Sequence, residues 1–550
     1  MPRLAPVMAT TFPCMCRPFD PALPLLAQPD PEVKPLTRVC STGMLSQIIM
    51  HLIGVNMKHL KLAGSAAVLA VLVANTALAD VTPEEVWQNW QDFYTSSGST
   101  VTTGSVAREG DTLVISDFRA SAEDEAGTSQ TTLAEIRLRD AGDGSVEVTM
   151  SEEMTFDFVG PALEGEGTSG ATGVVKMPGL TGTVSGDVAD MAYAFTMPSV
   201  EVTLEPQEDG TAAGKVTVLL SDSTSTYQLS GPPEAMVLAG GFGAASAAFN
   251  MEITDETGNF VGSLNVADLD GRISGNLAGV EEEEIANALA KGFALDMAMT
   301  YGALNYDFDI ADETAPAKLA GGSEGGSFQL GMDAAQMLLS GGGKAVSMAV
   351  SGGDLPFPEL KVSYGESGFN LTMPLAKGDT PQDFAFLTKI VDLQVSDEIW
   401  DMFDPARTLP RDPATLVIDT AGQALLKSDL MATPDGAQPD AELHALSVND
   451  LTARFAGAEL TGAGDFTFDN TDLTTFQGMP APTGKLELKL VGGNTLLDKL
   501  VAMGLVAEEE AMGARMMIAM FANPGAGEDE LTSVLEFKDK GFFANGQQLQ

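Results

Sequence analysis

The chain has 550 residues, with 29 Lys and Arg against 77 Asp and Glu, for a net charge of −48. That field repels nucleic-acid phosphates and anionic lipid surfaces, so neither is expected as a partner. The three cysteines (Cys14, Cys16, Cys40) lack the spacing and fourth ligand of a metal site, and His444 is the single histidine beyond residue 79. Zinc or copper centres built on several imidazoles or thiolates within one chain are therefore excluded.

Residues 1–56 are Pro-rich and show no helical or strand period. They read as a disordered extension from a misplaced upstream start, with Met57 as the true beginning. From there "MKHLKLAGSAAVLAVLVANTALAD" has the parts of a secretory signal. Lys58, His59 and Lys61 are basic, Leu62 to Val73 are apolar, and Ala77-Leu78-Ala79 is a small-residue end. The apolar part falls short of the roughly 20 residues that cross a bilayer. The expectation is export to the periplasm, cleavage after Ala79, and no integral membrane segment in the mature chain. Residues 80–550 would then carry 23 basic and 74 acidic residues, a net charge of −51.

The mature start, "DVTPEEVWQNWQDFYTSSG", predicts a helix. Thr82 caps it, Pro83 suits the first turn, and Glu85 completes a capping box. Trp87 and Trp90 fall on its apolar face and anchor it to a sheet. Alternating strands follow. Ala134, Ile136 and Leu138 lead through Asp143-Gly144 to Val146, Val148 and Met150, a hairpin signal. Met191, Tyr193, Phe195 and Met197 alternate, then Val200, Val202 and Leu204, and near the end Leu486, Leu488 and Leu490. The uncharged run Ala235 to Met251 reads as a buried element. Helices are expected at Val280 to Met297, at Thr380 to Leu393 and at "SDEIWDMFDP", with a closing pair at Asn494 to Val506 and Glu508 to Phe521. The Gly- and Ala-rich segment Ala311 to Ser327 reads as a loop and a domain boundary. That divides the mature chain into an N-terminal β-rich half, 80–310, and a C-terminal half, 311–550.

One wet face and one apolar face per strand, without crossover helices, predicts a β-rich α+β fold of long antiparallel meanders with a few docking helices. The sheet would be either a curved groove or a closed sandwich. In either case the residues set at Met191, Tyr193, Phe195, Met197, Leu486, Leu488 and Leu490 are the candidate apolar ligand face.

The stretch "IWDMFDPARTLPRDPATLVID", with "DVTPEEVWQNW" and "EEEAMGARMMIAMFANPGAGEDELTSVLEFKDKGFFANGQQLQ", resembles an uncharacterised family of Gram-negative proteins known as domain of unknown function 2125. The resemblance spans Asp80 to Gln550 and implies export and a β-rich build, with no activity, cofactor or catalytic residue to carry over. More loosely, "LHALSVNDLTARFAGAELTGAGDFTFDN" is similar in style to repeats of AsmA-like envelope proteins, which line lipid-handling grooves with alternating strands.

Catalytic patterns are weak. Gly321-Gly322-Ser323-Glu324-Gly325 fits G-x-S-x-G, but that elbow needs a strand before it and a helix after it. A flexible glycine loop is the better reading there. Met512, Met516 and Met520 recur at helical spacing beside Phe521, which reads as core packing rather than a copper site. No catalytic, cofactor or metal residue is assigned. The expected function is an exported envelope protein that binds an apolar or lipid ligand, or scaffolds an envelope protein. The alternative is a carboxylate-dependent periplasmic hydrolase.

Overall fold

The computed structural model describes residues 80–550, apart from 97, 125–126, 162–166, 209–210, 233–234, 255–257, 281–284, 313–314, 354 and 433–439. The expectations for residues 1–56 and for the signal at 57–79 lie outside the described residues.

Among the described residues, twenty-eight strands form one antiparallel sheet. β1 (Thr100–Thr102) and β2 (Ser105–Glu109) share an edge of β3 (Thr112–Asp124), which pairs with β4 (Gly127–Asp140). The next two rungs are split, β5 (Val146–Met150) with β6 (Glu153–Pro161), then β7 (Thr168–Lys176) with β8 (Thr181–Asp187). Four long strands carry the meander on: β9 (Asp190–Glu208), β11 (Gly214–Ser230) after the short β10 (Thr211–Ala212), β12 (Val237–Thr254) and β13 (Gly258–Asn276). Two more split rungs follow, β14 (Ala294–Tyr301) with β15 (Leu304–Asp312), and β16 (Ala317–Ser323) with β17 (Gly325–Met332). Then come β18 (Gln336–Gly352), β19 (Glu359–Pro374), β20 (Gln382–Val395), β21 (Ala414–Leu426), β22 (Ala441–Phe455), β23 (Ala458–Asp469) and β24 (Ala481–Val491). β25 (Asn523–Pro524), β26 (Glu530–Lys538), β27 (Gly541–Ala544) and β28 (Gln547–Gln548) finish the edge.

The N-terminal helix α1 (Pro83–Ser96) forms where its caps place it: the Thr82 backbone N–H donates to Glu85 Oε2 at 2.9 Å, and the Glu85 N–H donates to Thr82 Oγ1 at 3.3 Å. Val86 and Trp87 bury against Leu113, Ile115, Phe118 and Leu138, making the largest core cluster. The Trp87 ring meets Phe118 edge-on at 6.1 Å. The expected hairpin is also present, with Ile136 opposite Met150 and Leu138 opposite Val148.

Five expectations need correction. Thr380 to Leu393 is not a helix but most of β20; Phe384, Phe386, Thr388 and Ile390 have a period of two, and that governs. Of Val280 to Met297, only α2 (Ile285–Ala290) is helical among the described residues, while Leu295 and Met297 belong to β14. Most of Ala311 to Ser327 is not loop: Ala317–Ser323 is β16, which pairs with β15 and β18, and β17 begins at Gly325. Gly321 and Gly326 there lie under the Tyr306 and Tyr301 side chains, and Gly322 and Gly325 lie close to neighbouring backbone. The Ala235 to Met251 run is β12, with Ala244 and Met251 buried and most of the rest half-buried or exposed. Finally, of the two sheet forms expected, the described strands make one continuous hydrogen-bonded sheet and not two separate ones. The other helices stand as expected: α3 (Asp397–Phe403), α4 (Gly493–Ala502) and α5 (Glu508–Phe521).

Candidate functional site

Strands of up to nineteen residues far exceed the usual five or six, and the face pattern of several is interrupted within the strand. The apolar alternation there advances by three residues instead of two. Ile115 is followed on its face by Phe118, Met197 by Val200, Val266 by Leu269, Gly343 by Val346 and Ile390 by Leu393. An exposed residue in the left-handed region fills several of the steps: Asp117 (φ 53°), Asp222 (46°), Asp268 (49°), Ala345 (47°) and Asp392 (56°). The facing strand steps at the same place, so the register is kept through most of these positions, and a one-residue offset on this line occurs between β20 and β21 at Ile390/Leu393. Because neighbouring strands step at matching positions, the steps form a line across the sheet.

Which side chains occupy each face follows from the register. Cross-strand pairs such as Val202–Val218, Phe249–Leu264, Met297–Leu330, Leu339–Leu371, Leu451–Gly462 and Leu488–Ser533 all lie on one side, the inner face. From β9 to β26, away from the strand tips, no Asp, Glu, Lys, Arg or His of the described strands takes an inner position. The cross-strand ion pairs Lys176–Glu201, Arg272–Asp296, Lys318–Asp309, Lys389–Glu366 and Arg454–Asp392 are all on the outer face. In a chain this acidic, that segregation is complete enough to define a site.

The inner face is also kept low. A Cβ at Gly262, Gly271 or Gly422 would stand 2.5, 2.4 and 2.6 Å from the rings of Phe308, Phe242 and Phe384. Each ring lies down over the glycine of the next strand, which only a residue without a side chain permits. α1 covers this face at β3–β9, but beyond it Phe242, Met348, Phe369, Phe386, Leu416 and Phe455 stay exposed on the same side. A contiguous apolar surface of that kind marks an interaction site.

Two cavities lie along this line of steps on the inner face and meet at Ile390. One, of about 530 Å³, is bordered by Tyr301, Leu304, Tyr306, Val346, Tyr364 and Phe369. The other, of about 430 Å³, is bordered by Leu393, Leu416, Phe455, Leu460, Leu490 and Leu496. Together they span the rungs from β15 to β24. Eight inter-strand steps of about 4.8 Å make roughly 40 Å.

The family-like stretch builds one flank of the second cavity. Trp400 on α3 is buried with Leu409 and Ala456 against Leu496, Leu500 and Met503, and its ring stacks on Phe455 at 5.7 Å. Asp404 ends α3, is buried, and accepts the N–H groups of Thr408 and Leu409 at 2.9 and 2.8 Å. Desolvation opposes its charge, but these hydrogen bonds and nearby Arg411 outweigh it and hold the carboxyl below its usual range. Arg411 bridges Asp397 at 2.6 Å and Asp401 at 2.5 Å, and lies over the Trp400 ring.

The candidate ligand residues divide. Leu486, Leu488 and Leu490 are half-buried on the inner face, and Leu490 borders the second cavity. Met191 and Tyr193, each 1% exposed, are core beneath α1; the Tyr193 hydroxyl donates to Asn89 at 2.7 Å and burial pushes its pKa up. Met197 belongs to a smaller cluster, and Phe195 lies over Gly182. The two sets share a face, but no core cluster joins them. Sequence reasoning missed the cavity residues of β15–β21. The three-residue step in the apolar pattern was the available signal.

Ser323 ends β16 and is followed by a strand, so neither the loop nor the elbow is present. It faces inward, whereas His444 sits beside Glu442 on the outer face, its Nε2 3.6 Å from the carboxylate. The methionine reading is also corrected. Met512, Met516 and Met520 on α5 are 58–66% exposed, because α5 rests on its neighbours through Ala511 instead.

The chain matches no family model, no curated protein and no solved structure. No described helix is long and apolar enough to cross a membrane.

Proposed function

We propose that this is an exported envelope protein, of the kind its resemblance implies, which binds an apolar or lipid ligand along the inner face of its sheet. The observation that carries the reading is the uncharged inner face, left uncovered between α1 and the Trp400 flank and hollowed by two adjoining cavities. A sheet with an apolar face packs on another sheet, on helices or on a ligand. Here the described strands make one continuous sheet, and helices cover only the ends. The secretory signal pattern from Met57 to Ala79 supports the location, and the AsmA-like style of β22–β23 supports the ligand class.

Titration of the purified chain with an apolar fluorophore such as pyrene tests the reading. Saturable binding is expected, lost in Leu416→Asp with an unchanged far-UV spectrum, because the new carboxylate enters the second cavity without a partner. Absence of saturable binding by the folded wild-type chain overturns it.

A further inference from the structure

The two cavities differ in chemistry. The smaller is walled almost wholly by aliphatic side chains and Phe455. The larger gathers three of the chain's six tyrosines, Tyr301, Tyr306 and Tyr364, with Ser323, Ser367 and Thr388. The register puts all six on the inner face. Other inner-face hydroxyls lie away from this hollow, Tyr193, Ser223, Ser225 and Tyr227 on β9 and β11, Thr420 on β21 and Ser533 on β26, so the six gathered here form a polar waist between the apolar walls.

The waist has no ionic component. Lys389, the one charged residue bordering the larger cavity, is drawn to Glu366 at 2.7 Å on the opposite side of the sheet. Ser323 Oγ is buried without a hydrogen-bond partner. A buried hydroxyl left unpaired costs free energy that a ligand acceptor or donor would recover. Burial, with Tyr364 close by, pushes the Tyr306 phenol up, so it remains a neutral donor.

We propose that the ligand is a neutral monoacyl lipid of the acylglycerol type. Its hydroxyl- and ester-bearing end is held among the tyrosine and serine hydroxyls of the larger cavity, and its chain passes Ile390 into the smaller one. This rests on the apolar-ligand reading above and adds the class of head group. A carboxylate or phosphate in the waist would be desolvated without a cation to meet it, inside a chain of net charge −48. An ester or hydroxyl would satisfy the orphan Ser323 and the phenols at no such penalty.

The test compares radiolabelled 1-palmitoylglycerol, palmitate and pyrene on the full chain at pH 8, where palmitate is ionised. The expected result is palmitoylglycerol bound at least tenfold tighter than palmitate. Replacing Tyr301, Tyr306 and Tyr364 together by Phe should weaken palmitoylglycerol about tenfold and leave pyrene unchanged. If that triple variant does not fold, Tyr364→Phe alone should weaken palmitoylglycerol severalfold with pyrene unchanged. Palmitate bound as tightly as palmitoylglycerol, or phenylalanine variants that keep full affinity, would overturn the head-group inference while pyrene binding still upheld the apolar-ligand reading. Loss of pyrene binding in the wild-type chain would overturn both.

Discussion

Asp268 shows how one residue sets the shape of a long strand. Its φ of 49° is left-handed, a region open to Gly and, at modest cost, to Asp and Asn, but hostile to β-branched residues. Its carboxylate lies against Gly302 on the neighbouring rung, where a Cβ would come within 2.9 Å of Oδ2; Asp117 repeats this with Gly104 at 2.5 Å. We expect Asp268→Gly to leave stability nearly unchanged and Asp268→Val to cost about 1–2 kcal/mol. Denaturant midpoints at constant m-value would measure both, and equal midpoints for the two variants would refute the account. Ala345 takes the same conformation without a polar side chain, and nothing in the structure explains that choice. These residues also mark where the sequence misleads. Met191 to Met197 and Val200 to Leu204 read as separate alternating runs, yet they are one strand, because a three-residue step between Met197 and Val200, matched on β11, leaves the same face inward.

Among the elements, those with chemical punctuation were legible. Thr82 and Glu85 start α1, and Pro405 lies just beyond α3. β20 was not legible as a strand, because Thr380-Pro381 imitates a helix start and Asp383 an acidic first turn. Only the alternation of Phe384, Phe386, Thr388 and Ile390 argues otherwise, and it is set by pairing with β19 and β21. The loop after α3 makes a pH-dependent prediction. Asp404 has its folded pKa depressed below the ordinary 3.8, so its contribution is present above that value and is lost as pH falls through the folded one. Asp404→Asn should therefore melt below wild type at pH 7, by an amount that shrinks as both proteins are taken below about pH 4. A difference that stays constant from pH 7 to pH 3 would show that the charge on Asp404 contributes nothing.

At the scale of the whole molecule, the chain carries a net charge of −48, and in the described strands from β9 to β26 the charged side chains take the outer face of the sheet. Like charges on that outer face repel, and salt screens them over about 10 Å at 0.1 M and about 3 Å at 1 M. The melting temperature should rise as sodium chloride is added to a salt-free solution, most steeply at the low end. A flat or falling curve would mean that the outer ion pairs, not repulsion, dominate. The strand order has a separate consequence for assembly and failure. From β18 to β23 each strand lies between the strands that precede and follow it in the chain. Such a chain can be laid down in the order in which it arrives, each strand needing only the one before it, as in repeat proteins whose units contact only their neighbours. The same wiring offers no detour. A lesion that unpairs β20 would sever the ribbon, leaving two shorter sheets that each expose a fresh edge.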